Sequence, residues 1–356
     1  MKSKVYLIRL GIHENMQACA IKLKRLLDES RVLNFIQPNN KVAVKMHFGE
    51  EGNTGFVRPE YLRIICDKIT SQKAMSFISD TNTLYRGRRT NSVDHLALAR
   101  EHGFTLQATG AEIIVPDDTK KENVTEVPIN QKFIKAAKVA RLFVDADALV
   151  GVSHFKGHMM TGFGGALKNI GMGCAAREGK LQQHAEVSPV VYQDKCTGCG
   201  ECEKACPVDA ITIQNKKSVI DAAKCIGCAT CIAVCPSSAI DVPWGSGAAT
   251  IQEKMVEYAS AILKSKKGKC GFISFAIKIT KECDCLAKDD PRIAPDIGIL
   301  ASNDPLAIDK ASFDLVNRIC GKDIFQEVHP DRDGLKQLKY AHKLGLGSLD
   351  YTLIEL

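Results

Sequence analysis

Eight of the fifteen cysteines lie between Cys196 and Cys235, in two copies of the pattern C-x2-C-x2-C-x3-C-P. Each cysteine of the first copy has its match 29 positions later in the chain. In this pattern three cysteines on a tight loop bind one 4Fe–4S cluster, and the fourth, which precedes proline, reaches the other cluster. The spacing therefore predicts two 4Fe–4S clusters and an electron path between them.

The crossover of the fourth cysteine predicts two ligand sets. One cluster takes Cys196, Cys199, Cys202 and Cys235, and the other takes Cys225, Cys228, Cys231 and Cys206. The alternative is a pair of zinc sites, but zinc prefers two separated C-x2-C pairs to three cysteines in a row. We interpret the segment as an iron–sulfur module, and a purely structural role for its clusters stays open.

A second group of polar residues lies between Gly151 and Cys174, directly after a predicted strand. Two of its histidines, His154 and His158, are spaced i, i+4, so they could bind one metal ion together if the segment is helical. The glycine-rich turn at 162–165 resembles an anion-binding helix start, and the alternative is a turn that only packs under the sheet. The predicted catalytic residues are His154, Lys156, His158 and Lys168, and the predicted cofactor-binding residues are Gly164, Gly165, Lys168 and Asn169.

Other polar residues lie at the ends of predicted strands and are candidates for the same cleft: Lys45, His47, Asp80, Thr81, Asn82, Asp304 and Asp309. His184, ten residues after Cys174, is a further candidate ligand, with a polar surface residue as the alternative. Asp304 fits equally well as the cap of a helix that begins at Pro305. Cys283 and Cys285 are too close for a conventional zinc pair, so we interpret them as two loop cysteines, with a redox or metal site as the alternative.

Strand-like and helix-like segments alternate up to residue 187. Strands are predicted at 4–10, 41–48, 74–79, 112–115 and 142–152, and helices at 18–27, 59–69 and 93–102. The alternation resumes after residue 244, with helices at 251–263, 307–319 and 335–344 and strands at 270–279, 297–301 and 351–356. This pattern favours an α/β fold. We predict a discontinuous, mainly parallel-sheet α/β domain (1–187 and 244–356) with an inserted small α+β dicluster ferredoxin domain (188–243).

The charge balance argues against nucleic acid as a partner. The formal net charge is +7, and each cluster with its four thiolates adds about −2, which leaves about +3. The basic runs at 86–89 and 264–269 lack interleaved aromatic residues, so we expect them to face water. Arg9 breaks the first apolar run and no apolar stretch reaches about 18 residues, so we expect neither a signal peptide nor a membrane span. A cytoplasmic, anaerobic protein is the expectation.

The combination of motifs resembles the domain of unknown function 362 family, whose members often carry a ferredoxin insert. The matching segments are 148–174, the Cys283-Asp284-Cys285 motif and 295–310. The resemblance implies a discontinuous α/β domain whose polar cleft binds an unassigned ligand.

Three hypotheses for the function follow. The first is an electron-transfer protein, acting as an iron–sulfur oxidoreductase, which delivers electrons to a small-molecule substrate or cofactor in the cleft. The second is a shuttle that docks to a redox partner protein. The third is a metal- or cofactor-handling protein in which His154, His158 and Cys174 hold a metal outside the clusters.

Overall fold

The protein is described by a computed structural model covering residues 2–11, 14–85, 87–184, 188–243 and 249–356. Its strands are β1 (Ser3–Arg9), β2 (Lys41–Lys45), β3 (Met75–Ser79), β4 (Glu112–Ile114), β5 (Val124–Pro128), β6 (Ala136–Ala140), β7 (Ala148–His154), β8 (Lys156–His158), β9 (Gly162–Gly164), β10 (Val190–Val191), β11 (Ile211–Gln214), β12 (Lys217–Ile220), β13 (Ile240–Asp241), β14 (Cys270–Ala276), β15 (Gly298–Ser302) and β16 (Tyr351–Glu355).

The α-helices are α1 (Met16–Ser30), α2 (Pro59–Ser71), α3 (Ser92–Glu101), α4 (Leu106–Thr109), α5 (Arg141–Asp145), α6 (Ala166–Gly173), α7 (Arg177–His184), α8 (Glu201–Lys204), α9 (Thr230–Val234), α10 (Ile251–Ser265), α11 (Pro305–Cys320), α12 (Ile324–Val328) and α13 (Leu335–Lys343). A short 3₁₀ helix spans Lys121–Asn123. None of the helices in the described ranges combines the length and the apolar character that crossing a membrane requires.

Eight strands form the central sheet, in the order β16-β1-β15-β14-β7-β2-β3-β4. Only β15 runs antiparallel to its neighbours, and the other adjacent pairs within this sheet are parallel. The prediction of a mixed α/β fold with a mainly parallel sheet is therefore confirmed. The sheet combines strands from both sides of the cysteine-rich segment, because β7 pairs directly with β14.

Apolar residues cover both faces of this sheet, because successive side chains of a strand point to opposite faces. Leu149 and Phe272 belong to the layer that includes α6, α10 and α11. Their neighbours Val150 and Ile273 belong to the layer that includes α1 and α2. Burial on both faces fixes the strand ends firmly, and polar residues at those ends are positioned by the core.

The predicted strand at 142–152 is wrong in its first half. Residues Arg141–Asp145 form the helix α5, and β7 begins only at Ala148. Phe143 on this helix is fully buried in the core. A short apolar run of this kind has no periodicity that separates a buried helical turn from a strand.

The cysteine-rich segment forms two small sheets and two short helices. β10 pairs with β13, so the two ends of the segment lie side by side, and β11 pairs with β12. The helices α8 and α9 begin at equivalent positions of the two copies. Val187 and Trp244, at the predicted domain boundaries, lie outside the described residues, and the domain division stays a prediction.

Candidate functional site

A cavity of about 360 Å³ lies where the parallel strands β2, β3 and β7 end. Residues at or just beyond each of these strand ends line it: Lys45 at the end of β2, Asp80 after β3 and His154 at the end of β7. The carboxyl edge of a parallel sheet is the usual place for binding sites in α/β folds. Of the residues expected to share a cleft, Lys45, His47, Asp80, Thr81 and His184 line this cavity, whereas Asn82, Asp304 and Asp309 are not among its described lining residues.

Lys45 and Asp80 form a buried ion pair at the floor of this cavity. Their Nζ and Oδ1 atoms are 3.0 Å apart. Burial alone would raise the pKa of Asp80, but the positive charge of Lys45 and the neighbouring His47 lower it below its ordinary value. Lys45 Nζ also donates to Asn169 Oδ1 at 2.8 Å. The pair is thus held in a charged state inside the protein.

Asn169 ties two strand ends together. Its amide nitrogen donates to the backbone oxygens of Lys45 at 3.2 Å and Val152 at 3.0 Å. With its oxygen bound to Lys45 Nζ, both ends of the side chain have partners in the protein. The structure gives Asn169 a positioning role at the cavity wall, beside the cofactor contact that the sequence predicted.

His154 and Lys156 are engaged by one carboxylate, that of Asp284. His154 Nδ1 lies 2.9 Å from the Asp284 carboxylate, and its Nε2 lies 2.8 Å from the backbone oxygen of Ile277. Lys156 Nζ is 3.1 Å from Asp284 Oδ2. Burial opposes ionisation, but His154 and Lys156 lower the pKa of Asp284 well below its ordinary value. This cluster anchors the loop after β14 to the end of β7.

His158 lies on the hairpin of β8 and β9, and not on a helix as the i, i+4 spacing required for a metal pair with His154. Its neighbour Gly157 packs against the loop after β14: a Cβ there would lie 2.2 Å from the backbone oxygen of Lys281. This close approach brings His158 beside Cys283 and Cys285. Their ligand atoms all lie within 4.8 Å of one another.

Lys168 reaches the same group from α6, with Nζ 3.6 Å from Cys283 Sγ. The side chain of Cys285, together with Lys168 and Lys156 and against the effect of burial, lowers the pKa of Cys283 well below its ordinary value. The pKa of Cys285 is raised by the same partnership with Cys283 and by burial. We therefore expect the pair of Cys283 and Cys285 to carry one negative charge, with the thiol of one cysteine hydrogen-bonded to the thiolate of the other.

Cys174 does not take part in this group. It is fully buried in the core layer beside α6 and is not among the described residues that line the cavity. The hypothesis of a metal held by His154, His158 and Cys174 is therefore wrong in two of its three ligands. His184, also a candidate, does line the cavity.

The start of α6 already holds a carboxyl group, the side chain of Asp309, whose pKa burial raises to about 7. Its two carboxylate oxygens accept hydrogen bonds from the backbone nitrogens of Ala166 at 2.6 Å and Leu167 at 2.9 Å. Gly164 and Gly165 line the cavity, but the amide groups that follow them are taken. The hydrogen-bond acceptor expected at this helix start therefore comes from the chain itself.

Asp304 is a helix cap and lies away from the cavity. Its Oδ1 accepts from the backbone nitrogens of Leu306 and Ala307, each at 2.9 Å. Of the two interpretations of this residue, the structure supports the cap.

Arg89 is a functional candidate that the sequence did not reveal. The basic run 86–89 was expected to face water, but Arg89 is only 2% exposed and lines the cavity. Its Nε donates to Glu50 at 2.9 Å, and its Nη1 lies 2.8 Å from His47 Nε2. Arg86 lies outside the described residues. A basic run gives no signal that one member is buried, because its partner Glu50 lies far away in the chain.

Lys180 is a second missed residue. Its ammonium group donates to the backbone oxygen of Thr81 at 3.1 Å, to Thr81 Oγ1 at 2.6 Å and to the backbone oxygen of Asn82. Burial lowers the pKa of Lys180 to about 7, although Asp80 acts in the opposite direction. A cavity-lining charge therefore titrates near neutral pH.

The eight cysteines of the repeat line two further small cavities. One is lined by Cys196, Cys199, Cys202 and Cys235, and the other by Cys206, Cys225, Cys228 and Cys231. The two groupings coincide with the predicted ligand sets. The glycines that open the two loops, Gly198 and Gly227, have φ values of 70° and 69°, where residues with a side chain are strained.

Backbone N–H groups point at the cysteine sulfurs in the same way in both copies. Ala210 N donates to Cys206 Sγ and Ala239 N donates to Cys235 Sγ, each at 3.2 Å. Ser218 N donates to Cys196 Sγ at 3.4 Å. Such bonds stabilise thiolates and tune iron–sulfur clusters.

Leu84 and Leu181 join the cysteine-rich segment to the large cavity. Leu84 lines that cavity, and both leucines belong to the same apolar cluster as Cys202 and Cys231. Leu181 lies on α7, whose Lys180 and His184 line the cavity. A Cβ on Gly227, in the loop of Cys225 and Cys228, would lie 3.6 Å from Leu181 Cδ2. One helix thus separates the two regions.

Comparison with known proteins decides the family. The model described as "Domain of unknown function (DUF362)" matches residues 42–314. The chain belongs to the DUF362 family. This confirms the resemblance found in the sequence, and the matched range contains both the cavity residues and the cysteine repeat. As its description says, the family has no assigned function.

A short stretch of this DUF362 protein is similar to ferredoxins. It is 58% identical over 33 residues to "Ferredoxin" of Acetoanaerobium sticklandii and 53% identical over 32 residues to "Ferredoxin-2" of Desulfomicrobium norvegicum. Each match covers 9% of this chain, and 59% and 54% of the relatives. The chain thus spans little more than half the length of these curated relatives. The similarity indicates a ferredoxin-like, iron–sulfur-binding segment.

Two solved structures show a weak likeness to the DUF362 protein. The lactate racemase apoprotein from Thermoanaerobacterium thermosaccharolyticum has a TM-score of 0.40 and 15% identity, over 78% of this chain and 51% of that chain. A protein from Thermotoga maritima has a TM-score of 0.43 and 11% identity, over 84% and 59%. Neither likeness is strong enough to assign a function.

Proposed function

We propose that this DUF362 protein is an iron–sulfur redox protein that passes electrons through two 4Fe–4S clusters to a small molecule or cofactor bound in the 360 Å³ cavity. The observation that carries the proposal is the position of Leu84. This residue lines the cavity and packs in one apolar cluster with Cys202 and Cys231. The proposed electron carriers and the proposed acceptor site therefore share a wall.

The arrangement of the cysteines fits clusters better than single zinc ions. Zinc lies about 2.3 Å from each thiolate sulfur, so four sulfurs on one ion are at most about 4.6 Å apart. Among the described residues, the group of three possible ligands that meets a limit of 4.8 Å is His158, Cys283 and Cys285, and none of the eight repeat cysteines belongs to it. When bound, each cluster supplies a one-electron carrier.

Exposure of the cysteines suggests a direction for the electrons. Cys199 is exposed, so its loop is the proposed contact with a donor protein. Gly227 in the second loop lies beside α7, since a Cβ there would be 3.6 Å from Leu181 Cδ2, and this supports the second loop as the one that faces the cavity. Donor and acceptor would thus meet opposite ends of the cysteine-rich segment.

The charge of the cavity favours an anionic acceptor. Among the described lining residues, five are lysines or arginines, namely Lys45, Arg89, Lys156, Lys168 and Lys180, and one is a carboxylate, Asp80. Lys45, Arg89 and Lys156 are paired with Asp80, Glu50 and Asp284, so the proposed contacts to an anion are Lys168 and Lys180. A cavity lined mostly by one sign of charge attracts the opposite sign. A small molecule with a carboxylate or phosphate group is the class of acceptor that we propose.

The clusters are tested on the full chain after anaerobic purification. We expect about eight irons per chain and the broad sulfur-to-iron charge-transfer absorption of 4Fe–4S clusters. A protein that holds zinc in place of iron after iron-replete anaerobic expression contradicts the proposal.

The cavity is tested by reoxidation. Dithionite-reduced protein is mixed with a panel of small carboxylates and phosphate esters that can accept electrons, and the recovery of cluster absorption is followed. For an acceptor that reoxidises the wild type, Lys168→Ala should slow the reaction about tenfold or more, because a charged hydrogen-bond donor is lost. Lys339→Ala, at an exposed lysine, is the control. Equal rates in all three proteins would instead favour a shuttle that does not use the cavity.

A further inference from the structure

Two cysteines that line the cavity lie outside the cysteine repeat and have no part in the proposed electron path. Cys283 and Cys285 lie on the loop after β14, and both line the cavity together with His158. Cys283 is 2% exposed and His158 is 7% exposed. Two cysteine sulfurs and an imidazole whose ligand atoms all lie within 4.8 Å of one another are a soft, compact donor set.

The donor set is built by contacts that do not depend on any metal. The backbone nitrogen of Gly157 donates to the backbone oxygen of Thr280 at 2.9 Å, and that of Met159 donates to Glu282 Oε2 at 3.1 Å. These bonds join the hairpin of His158 to the loop of the two cysteines. The hairpin and the loop can approach this closely because Gly157 has no side chain. A site prepared in this way loses little conformational freedom when an ion binds.

Asp284 orients the two cysteines that flank it. Its carboxylate is bound by His154 and Lys156 at 2.9 and 3.1 Å, so the middle residue of the motif points to the end of β7. The cysteines on either side of it are left to line the cavity. Two cysteines at C-x-C spacing are too close to form a conventional zinc pair. Here His158, on β8, supplies a third ligand beside them.

The imidazole of His158 has one nitrogen held by the backbone. Met160 N donates to Nδ1 at 3.1 Å, which assigns Nε2 as the ligand atom. Binding at Nε2 moves the ring proton to Nδ1, where it would face the Met160 N–H, so this hydrogen bond is lost and the backbone at Met160 must turn away when an ion binds.

We infer that His158, Cys283 and Cys285 bind one divalent, thiolate-seeking metal ion of the zinc type, separate from the clusters, with a fourth coordination position open to the cavity. Three protein ligands and one open position are the arrangement of catalytic metal sites. Lys168 Nζ, 3.6 Å from Cys283 Sγ, stays beside the ion as a hydrogen-bond donor to a thiolate. The site stands without the clusters, and only its use as the place where an acceptor binds rests on the proposed function.

The experiment uses the anaerobically purified full chain, treated with a mild chelator that leaves the cluster absorption intact, and Co²⁺ as the probe. We expect one equivalent of Co²⁺ to bind with thiolate-to-cobalt charge-transfer absorption. Cys283→Ser, Cys285→Ser and His158→Ala should each weaken binding about tenfold or more. Cys320→Ser and His342→Ala, at a partly exposed cysteine and an exposed histidine outside the cavity, should bind as the wild type does.

Three results would overturn the inference: no thiolate-to-cobalt absorption in the wild type, equal binding by Cys285→Ser, or a Cys283–Cys285 disulfide in the anaerobic protein. Cys285 is partly exposed, so its serine variant serves if Cys283→Ser does not fold. Iron content and cluster absorption are measured on the same samples. Cobalt binding without clusters contradicts only the proposed function, whereas clusters without cobalt binding contradict only the metal site.

Discussion

The cysteine-rich segment and the large cavity hold their reactive side chains in different ways. In the segment, short loops carry the cysteines, and the apolar cluster beneath them includes only a few residues. At the cavity, the reactive groups stand at the ends of strands whose sheet is buried on both faces. A small core with many cysteines depends on its metal for stability, whereas a site at the end of a packed sheet is preorganised by the fold.

The largest expected effect is on the segment when iron is removed. Chelation should remove hydrogen-exchange protection from the paired strands β10 to β13, because few apolar contacts remain to hold them. Protection in β7 and β14, which lie at the centre of the sheet, should persist. Hydrogen exchange measured by mass spectrometry checks both regions at once. Equal loss of protection in the sheet would break the comparison.

The second effect concerns the buried carboxylate of the cavity. Asp284→Asn should lower the free energy of unfolding by about 3–5 kcal/mol, because His154 and Lys156 lose their shared countercharge inside the protein. Denaturant unfolding measures it. The control is Asp289→Asn, since this exposed carboxylate accepts hydrogen bonds from Thr54 and its loss should cost less than about 1 kcal/mol. Similar losses in both variants would contradict the ion-pair argument.

The third effect is at the wall that the two regions share. Leu84→Ala should cost about 2–5 kcal/mol of stability, since the side chain is 2% exposed in the apolar cluster of the segment. It should also slow reoxidation of the clusters by any acceptor that uses the cavity. Leu106→Ala, at an exposed leucine, provides the matched control for both measurements. Normal reoxidation in a destabilised Leu84→Ala protein would show that this wall is not the electron path.

The smallest effect is a pH dependence from Lys180. Its pKa is lowered to about 7 in the folded protein by burial, against about 10.4 in the unfolded chain. Above pH 7 the unfolded state holds more protons, so stability rises with pH relative to a Lys180→Met variant, by about 1–2 kcal/mol between pH 7 and 8.5. Urea unfolding at several pH values measures the difference. Parallel curves, as expected for Lys339→Met, would contradict a buried titrating lysine.

The features that the sequence predicted are those with local causes. The spacing of the cysteine repeat requires tight loops, and the structure groups the eight cysteines as that spacing requires. Alternating strands and helices placed Lys45, Asp80 and His154 at one edge of a parallel sheet. In both cases each short stretch of the chain carries the pattern from which its own part of the geometry is predicted.

The features that the sequence did not predict depend on contacts between distant parts of the chain. His158 meets Cys283 only because β14 pairs with β7 and Gly157 admits the following loop. Arg89 is buried because Glu50 provides its countercharge. The start of α6 is closed to an outside anion by Asp309, 143 positions from Ala166. No local pattern carries these pairings.

The pairing of β7 with β14 also affects how the chain folds. These neighbours at the centre of the sheet are separated in sequence by the whole cysteine-rich segment. Closing a loop costs conformational entropy that grows with its length. A segment whose ends are already paired through β10 and β13 shortens the loop that remains to be closed. If the proposed clusters hold β10 and β13 together, we expect iron supply during synthesis to speed completion of the sheet and iron shortage to leave the edge of β7 unpaired for longer.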